Sequence, residues 1–368
     1  MGWQFIPESQ LSLFRNVTIA DFNPTVPIHL KCLVGICGAF GLFGLVGNGR
    51  AMWRGWTRLR SGAYNRRGMR RNRAAIRRHG TIGIYNLALH LVHTLALLGI
   101  PSLILDITNK YYFFGDFACK LQWTLEALNK LLSNFLLLTM STHCYVKVCQ
   151  HSKLNFLSQM SRSLSVWLIL SLNFGLALLL SVPVILSTEV YAVVMPQNDT
   201  CVLLTKKCLF YPTVSGIRTI VIYMFLCAYI VPSCLQLYHY GAVLRYVRRT
   251  YLRSAIRKDY WPLKRATTNC GIQLGVYLLC WTPFWVAQLG SAFATDLSQH
   301  GEVWLASYYT VLALPYFYAA TNATIHTCIR AGARQSSPPC SNSATVELVT
   351  KVYSYNAADA AHEKPVEN

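Results

Sequence analysis

Charge is what this sequence has least of. Only 13% of its 368 residues are Asp, Glu, Lys or Arg, against the quarter or so usual in soluble domains, and 53% are hydrophobic. That deficit excludes an ordinary water-soluble domain and points to lipid as the solvent. Acids are scarcest, 14 Asp and Glu against 34 Lys and Arg. Also missing are internal repeats with broken spans, which a secondary transporter would show. No nucleophile lies beside a base, and no His, Cys and acid cluster has metal-ligand spacing. Enzyme chemistry, a metal centre and a cofactor are therefore not expected.

What is present is apolar length. Seven stretches reach the 20 or so residues needed to cross a hydrocarbon core about 30 Å thick: 30–52, 81–104, 121–148, 164–186, 219–243, 268–293 and 305–329. Pro101, Pro183, Pro232 and Pro283 fall within them, as a membrane bundle tolerates. The expected fold is an all-α integral membrane bundle of seven helices. Its expected parts are a tail at 1–29, a seven-span domain at 30–330 and a disordered polar tail at 331–368.

Basic residues set the orientation, since Lys and Arg are retained in cytoplasmic loops. The loop from Arg50 to Gly80 carries eleven Arg and no acid, and the loop from Leu244 to Ala266 adds Arg245, Arg248, Arg249, Arg253, Arg257, Lys258, Lys264 and Arg265. The N-terminus is expected outside and the C-terminus inside. The sequons at Asn16 and Asn198 fall on the external side and are the expected glycosylation sites. "MGWQFIPESQ" has neither the basic start nor the apolar core of a cleavable signal, so the first span is expected to direct insertion. The net charge of +20 sits in membrane-flanking loops, where anionic lipids are the natural partner and nucleic acid is not. "RRGMRRNRAAIRR" reads either as a basic amphipathic helix on the membrane surface or as a solvated insertion.

Most of the 13 Cys lie inside spans, where a thiol behaves as a small hydrophobe. Cys119 opens the third span on the external side, and Cys201 and Cys208 lie in the largest external loop, where a disulfide persists. One bridge from Cys119 is expected. Spacing to "CLFYP" favours Cys208, with Cys201 as the alternative.

Local motifs then add specificity: Gly47-Asn48 in span one, "NLAL" from Asn86 in span two, Trp167 in span four, Pro232 with Tyr240 in span five, and "CWTPFW" from Cys280 in span six. In this order and spacing, residues 30 to 330 resemble the rhodopsin-like G-protein-coupled receptors. "CKLQWTLEALNK" and "CWTPFWVAQ" look most like the somatostatin, opioid and allatostatin-C peptide receptors. The resemblance implies a multi-pass plasma-membrane receptor with an extracellular peptide ligand and a heterotrimeric G protein as partners.

It also implies site residues. Glu126, seven residues after Cys119, stands where such receptors often carry an aspartate. An ionisable residue in a span is costly and marks function by default. Glu126 and Lys130 are also four apart in the order that favours a helical ion pair, so a structural pair and a ligand anchor are both open. Gln122, Phe284, Gln288 and Tyr316 are expected to line the cavity, with Trp281 as its floor; Trp285 and Tyr309 are expected to serve packing.

Three parts of the family's switch are altered. His143-Cys144-Tyr145 occupies the place of the Asp-Arg-Tyr motif, losing the acid and the arginine. The sodium-holding aspartate of span two should fall near Leu91 or Val92, and the neighbouring His90 and His93 do not replace a carboxylate toward sodium. The Asn-Pro-x-x-Tyr motif reads Asn322-Ala323-Thr324-Ile325-His326. The preferred reading is a signalling receptor with a rewired interior that uses Tyr240, Trp281, Asn322 and His326 as polar hinges. The alternatives are a ligand-binding decoy or trafficking protein that does not couple and, behind it, a transporter.

Overall fold

The computed structural model describes residues 4–7, 18–19, 28–64, 73–109, 112, 114–149, 162–198, 201–210, 214–253, 260–293 and 302–335. Two units are distinguished, Met1–His326 and Thr327–Asn368, and all the packing below belongs to the first. Helix α1 is Ile28–Tyr64, α2 Arg73–Leu97, α3 Ile100–Asn109, α4 Gly115–Cys149, α5 Arg162–Leu186, α6 Val214–Met224, α7 Val231–Arg253, α8 Tyr260–Phe293 and α9 Glu302–Gln335. Each expected span has its helix. α9 continues past residue 330, where the tail was expected to begin; the remaining tail and Asn16 lie outside the described residues.

Five stretches are long and apolar enough to cross a membrane: Leu30–Thr57, Ile82–Ser102, Val166–Leu186, Ser215–Arg249 and Gly271–Phe293. α4 and α9 are as long but more polar. α4 carries Asp116, Lys120, Glu126 and Lys130 in its first half, a load that a helix tolerates at the centre of a bundle rather than against lipid. That is where it lies, packed against α2, α5, α7 and α8. Large apolar side chains such as Leu42, Leu172, Leu179 and Leu279 point away from the protein, giving the outer faces an apolar coat suited to acyl chains.

Two spans are interrupted for local reasons. The second breaks at Leu98-Gly99 because Pro101 has no N–H to continue the ladder; Gly99 N–H bonds to Ala96 O at 2.9 Å instead, and α3 begins afresh. The fifth contains a single π turn, Phe225–Ile230, ahead of Pro232. Proline cannot donate to the carbonyl four residues back, which is that of Ala228. Asn134 of α4 supplies the missing bond, its Nδ2 donating to Ala228 O at 2.7 Å.

α1 and α9 approach closely beside Gly44. A Cβ there would lie 2.6 Å from Leu97 Cδ1 and 2.7 Å from both Ala320 Cα and Cβ. Small residues permit such contact between membrane helices, and Asn48 seals it by donating to Ala319 O at 2.9 Å. Gly44→Ala should therefore cost about 1 to 3 kcal/mol through overpacking, read as a lower melting temperature in detergent. Gly35→Ala, whose Cβ meets nothing within 4 Å, should leave it unchanged.

An unexpected sheet caps the Cys119 end. β1 (Gln4–Pro7) pairs antiparallel with β3 (Thr188–Asn198), β3 pairs antiparallel with β4 (Cys201–Phe210), and the two-residue β2 (Thr18–Ile19) lies parallel to β4. The resulting order is β1-β3-β4-β2. β-branched residues and Tyr in "TEVYAVV" favour the extended state. Asn198 closes the β3–β4 turn opposite Cys201.

Candidate functional site

Position along α4 builds the site. Cys119, fully buried, bonds to Cys208 of β4 with a Cα–Cα distance of 5.6 Å. Three further bonds fix the hairpin nearby: Asp116 Oδ1 accepts from Val190 N–H at 3.0 Å, Lys206 O accepts from Tyr112 N–H at 2.9 Å, and Trp123 Nε1 donates to Cys208 O at 3.4 Å. Burial raises the Tyr112 phenol pKa above its ordinary value. The hairpin is thereby held over the start of α4.

Two turns further along α4 lies Glu126. Its Oε2 is 3.3 Å from Lys130 Nζ, and its Oε1 accepts from Tyr316 Oη of α9 at 3.3 Å. Lys130 Nζ also lies 5.4 Å from the Phe284 ring centroid and 5.7 Å from that of Trp123. Each favourable cation–π contact of this kind contributes about 0.5 to 2 kcal/mol. Four expected residues, Glu126, Lys130, Phe284 and Tyr316, thus converge from α4, α8 and α9, and Trp123 joins them without having been anticipated. Trp281 lies beneath, edge-on to Phe284 at 5.5 Å and stacked on Tyr277 at 5.6 Å. Gln122 and Gln288 are partly buried on the same two helices. Trp285 packs among Phe225, Tyr229 and Phe284, as expected of a core residue.

The ion pair keeps a quarter of the Glu126 side chain and 15% of that of Lys130 accessible. Each group is satisfied at rest, yet each is reachable. A cation brought to Glu126 would replace Lys130, which would remain held by two aromatic faces.

Below this layer the polar core departs from expectation. Leu91 is half exposed and faces outward. His90, one residue earlier, is buried and its Nδ1 lies 2.9 Å from Asn48 Oδ1. His93 Nδ1 lies 3.4 Å from Asn322 Nδ2. The polar inward positions of span two are therefore these two histidines; Leu91 faces outward, and Val92 packs against the apolar core. Imidazoles suit transition metals rather than a hard cation, and the residues present do not fit sodium. His93 Nε2 and the hydroxyls of Tyr277 and Tyr318 are buried in this column with no hydrogen-bond partner among the described residues. Asn134 and Gln236 form a second node: Gln236 Nε2 donates to Asn134 O at 3.2 Å and to Asn134 Oδ1. Polar residues at mid-span were the signal for both, although their pairing was not readable.

At the far end of α4, the altered motif makes contacts of its own. Cys144 is buried against Val243 and Val247 of α7. Tyr145 stacks on His239 at 5.0 Å with planes 20° apart, and His239 Nδ1 lies 3.4 Å from Ser141 Oγ and 3.3 Å from Thr142 Oγ1. His143 meets Tyr85 edge-on at 6.4 Å. The Tyr240 phenol covers Gly271 of α8 so closely that an added Cβ would displace it. Aromatic stacking and hydroxyl contacts thus join α4, α7 and α8, where an acid–arginine pair was absent from the sequence. A cavity of about 20 Å³ lined by Cys144, Gln236, Tyr240 and Gln273 opens between them. The His326 side chain lies outside the described residues.

Comparison with known proteins agrees with this geometry. Residues 73–329 match the family described as "7 transmembrane receptor (rhodopsin family)". The chain is similar to Neuropeptide receptor 18 of Caenorhabditis elegans, 25% identical over 274 residues that cover 68% of this chain and 56% of that one. It is also similar to Somatostatin receptor type 2 of Sus scrofa (24% over 213 residues, 56% of this chain and 54% of the relative) and Somatostatin receptor type 1 of Rattus norvegicus (25% over 214 residues, 57% and 52%). The matched region spans about half the length of these relatives.

Proposed function

The chain belongs to the rhodopsin family of seven-transmembrane receptors, and from that premise we propose that it is a plasma-membrane receptor for a basic peptide. The N-terminus and the sheet face outward, Asn16 and Asn198 carry glycans, and the residue 331–368 tail is cytoplasmic. The ligand enters beneath the β3–β4 hairpin and places a cation on Glu126. Phe284, Tyr316, Gln122 and Gln288 line its walls above Trp281. The observation that carries this reading is the accessible Glu126–Lys130 pair, framed by Trp123, Phe284 and Tyr316. The printed names of the relatives, neuropeptide and somatostatin receptors, support a peptide as ligand.

Binding is passed to a heterotrimeric G protein through Asn322 and the contacts of Tyr145 and Tyr240. Because Cys144 offers no cation, the positive charge is supplied by Arg245, Arg248 and Arg249, all exposed at the end of α7. A panel of amidated and cyclic basic peptides, applied to cells expressing the receptor with a promiscuous G protein, should yield calcium release for at least one. Converting the three arginines to Gln should abolish that release while surface peptide binding persists. Release that survives the triple change would assign coupling elsewhere. Binding with no release in the unaltered protein would favour the non-coupling alternative, which the absence of an arginine at Cys144 also supports.

A further inference from the structure

Glu126 and Lys130, one helical turn apart on α4 and 3.3 Å from each other, form a partly accessible pair of zero net charge. A ligand that brings only a cation disturbs that balance. Once such a cation sits on Glu126, Lys130 keeps its own charge, with Nζ 5.4 Å from the Phe284 ring centroid and 5.7 Å from that of Trp123. Two cations then share one carboxylate in a partly buried layer, where like charges repel more strongly than in water. The two rings compensate only in part, since an aromatic face offers a cation less than a carboxylate does. Tyr316 gives no relief, because its hydroxyl donates to Glu126 Oε1 at 3.3 Å and so draws on the same anion.

We infer that Lys130 is a second anchor, which takes a carboxylate carried by the ligand beside its cation. The charges of Glu126, ligand cation, ligand carboxylate and Lys130 would alternate in sign, and the layer would return to zero net charge. The two ligand charges have to lie as close together as two side chains one turn apart on α4. A basic C-terminal residue with its α-carboxylate unblocked meets that condition within a single residue. A chain end also suits the approach: the β3–β4 hairpin is held over the start of α4 by Cys119–Cys208 and by Asp116, and one strand passes such a cover more easily than a loop that brings two. The place of the cation rests on the basic-peptide reading above; the carboxylate goes beyond it.

Purified receptor in lipid nanodiscs would be exposed to acetylated tripeptide mixtures ending in arginine, prepared as free acids and as amides, and bound peptide counted by affinity-selection mass spectrometry. A hydrogen bond between charged groups is worth about ten-fold in affinity, so acids should be retained about ten-fold more tightly than the matching amides. Lys130→Met should bring that ratio near one: amides tighten because the lysine no longer competes for Glu126, whereas acids lose their own partner. Lys130→Arg, which keeps the cation and its stacking on aromatic faces, should keep the preference. Lys120→Gln, which removes an accessible cation paired with Asp116 nearer the start of α4, should leave the ratio unchanged. Each ratio is taken within one preparation, so the amount of folded receptor cancels. Equal retention of acids and amides by the unaltered protein would overturn the second anchor, as would a loss of preference with Lys120→Gln as large as with Lys130→Met. Mixtures ending in citrulline read the first anchor alone, and their retention at the level of the arginine mixtures would overturn the basic-peptide reading together with the inference built on it.

Discussion

Glu126→Gln should lower the affinity of the receptor for a basic peptide by ten-fold or more. The substitution keeps the shape of the side chain and its capacity to accept from Tyr316, but it removes the anion that a ligand cation would meet. A hydrogen bond to a charged group contributes about 1.5 to 3 kcal/mol, and 1.4 kcal/mol is a factor of ten in the dissociation constant. Lys130→Met provides the opposite sign. It removes the cation now 3.3 Å from Glu126, so a basic ligand no longer competes for the carboxylate and should bind more tightly. Radioligand competition on membranes measures both. Unchanged affinity in Glu126→Gln would leave the pair as a strut within α4.

Loss of the disulfide should have the next largest effect. Cys119 and Cys208 are 89 residues apart, and the chain-entropy account gives about 4 to 5 kcal/mol for closing a loop of that size. A membrane-inserted chain already has its spans confined, so the realised cost should lie nearer the lower end of the range of about 2 to 5 kcal/mol seen for small secreted domains. The hairpin would still be tied by Asp116 and Tyr112, yet its cover over the start of α4 would loosen. Cys119→Ser and Cys208→Ser should each reduce surface receptor and peptide binding, and the double variant should be no worse than either. Cys201→Ser should be neutral. A silent Cys208→Ser would contradict the pairing.

The bilayer explains why so much of the fold was legible. It demands apolar length, which α1, α5 and the segment through α6 and α7 advertise along the chain. It also makes every buried charge conspicuous, and so Glu126 and Lys130 could be singled out before their contact was seen. Less legible was whatever depends on partners distant in sequence. Tyr145 and His239 stack across a separation of about 94 residues, and Asn134 meets Gln236 across 102; one sequence holds no record of such pairs. The π turn before Pro232 arises from a carbonyl whose partner sits on another helix. His90 faces inward to meet Asn48 while Leu91 faces outward, a matter of helical phase that spacing alone does not reveal. The hairpin of β3 and β4 was not legible either, because its pairing joins residues up to 22 apart and neither strand alternates apolar with polar residues.

The central claim is that a peptide cation at Glu126 drives G-protein activation through a bundle that lacks the usual acid–arginine pair. Its most direct test is nucleotide exchange on a panel of purified heterotrimers, stimulated by a binding peptide on the purified receptor in lipid nanodiscs. The account predicts stimulated exchange on at least one heterotrimer, with the dose–response curve displaced ten-fold or more in Glu126→Gln and its maximum retained. Saturable peptide binding with no exchange on any heterotrimer would contradict it.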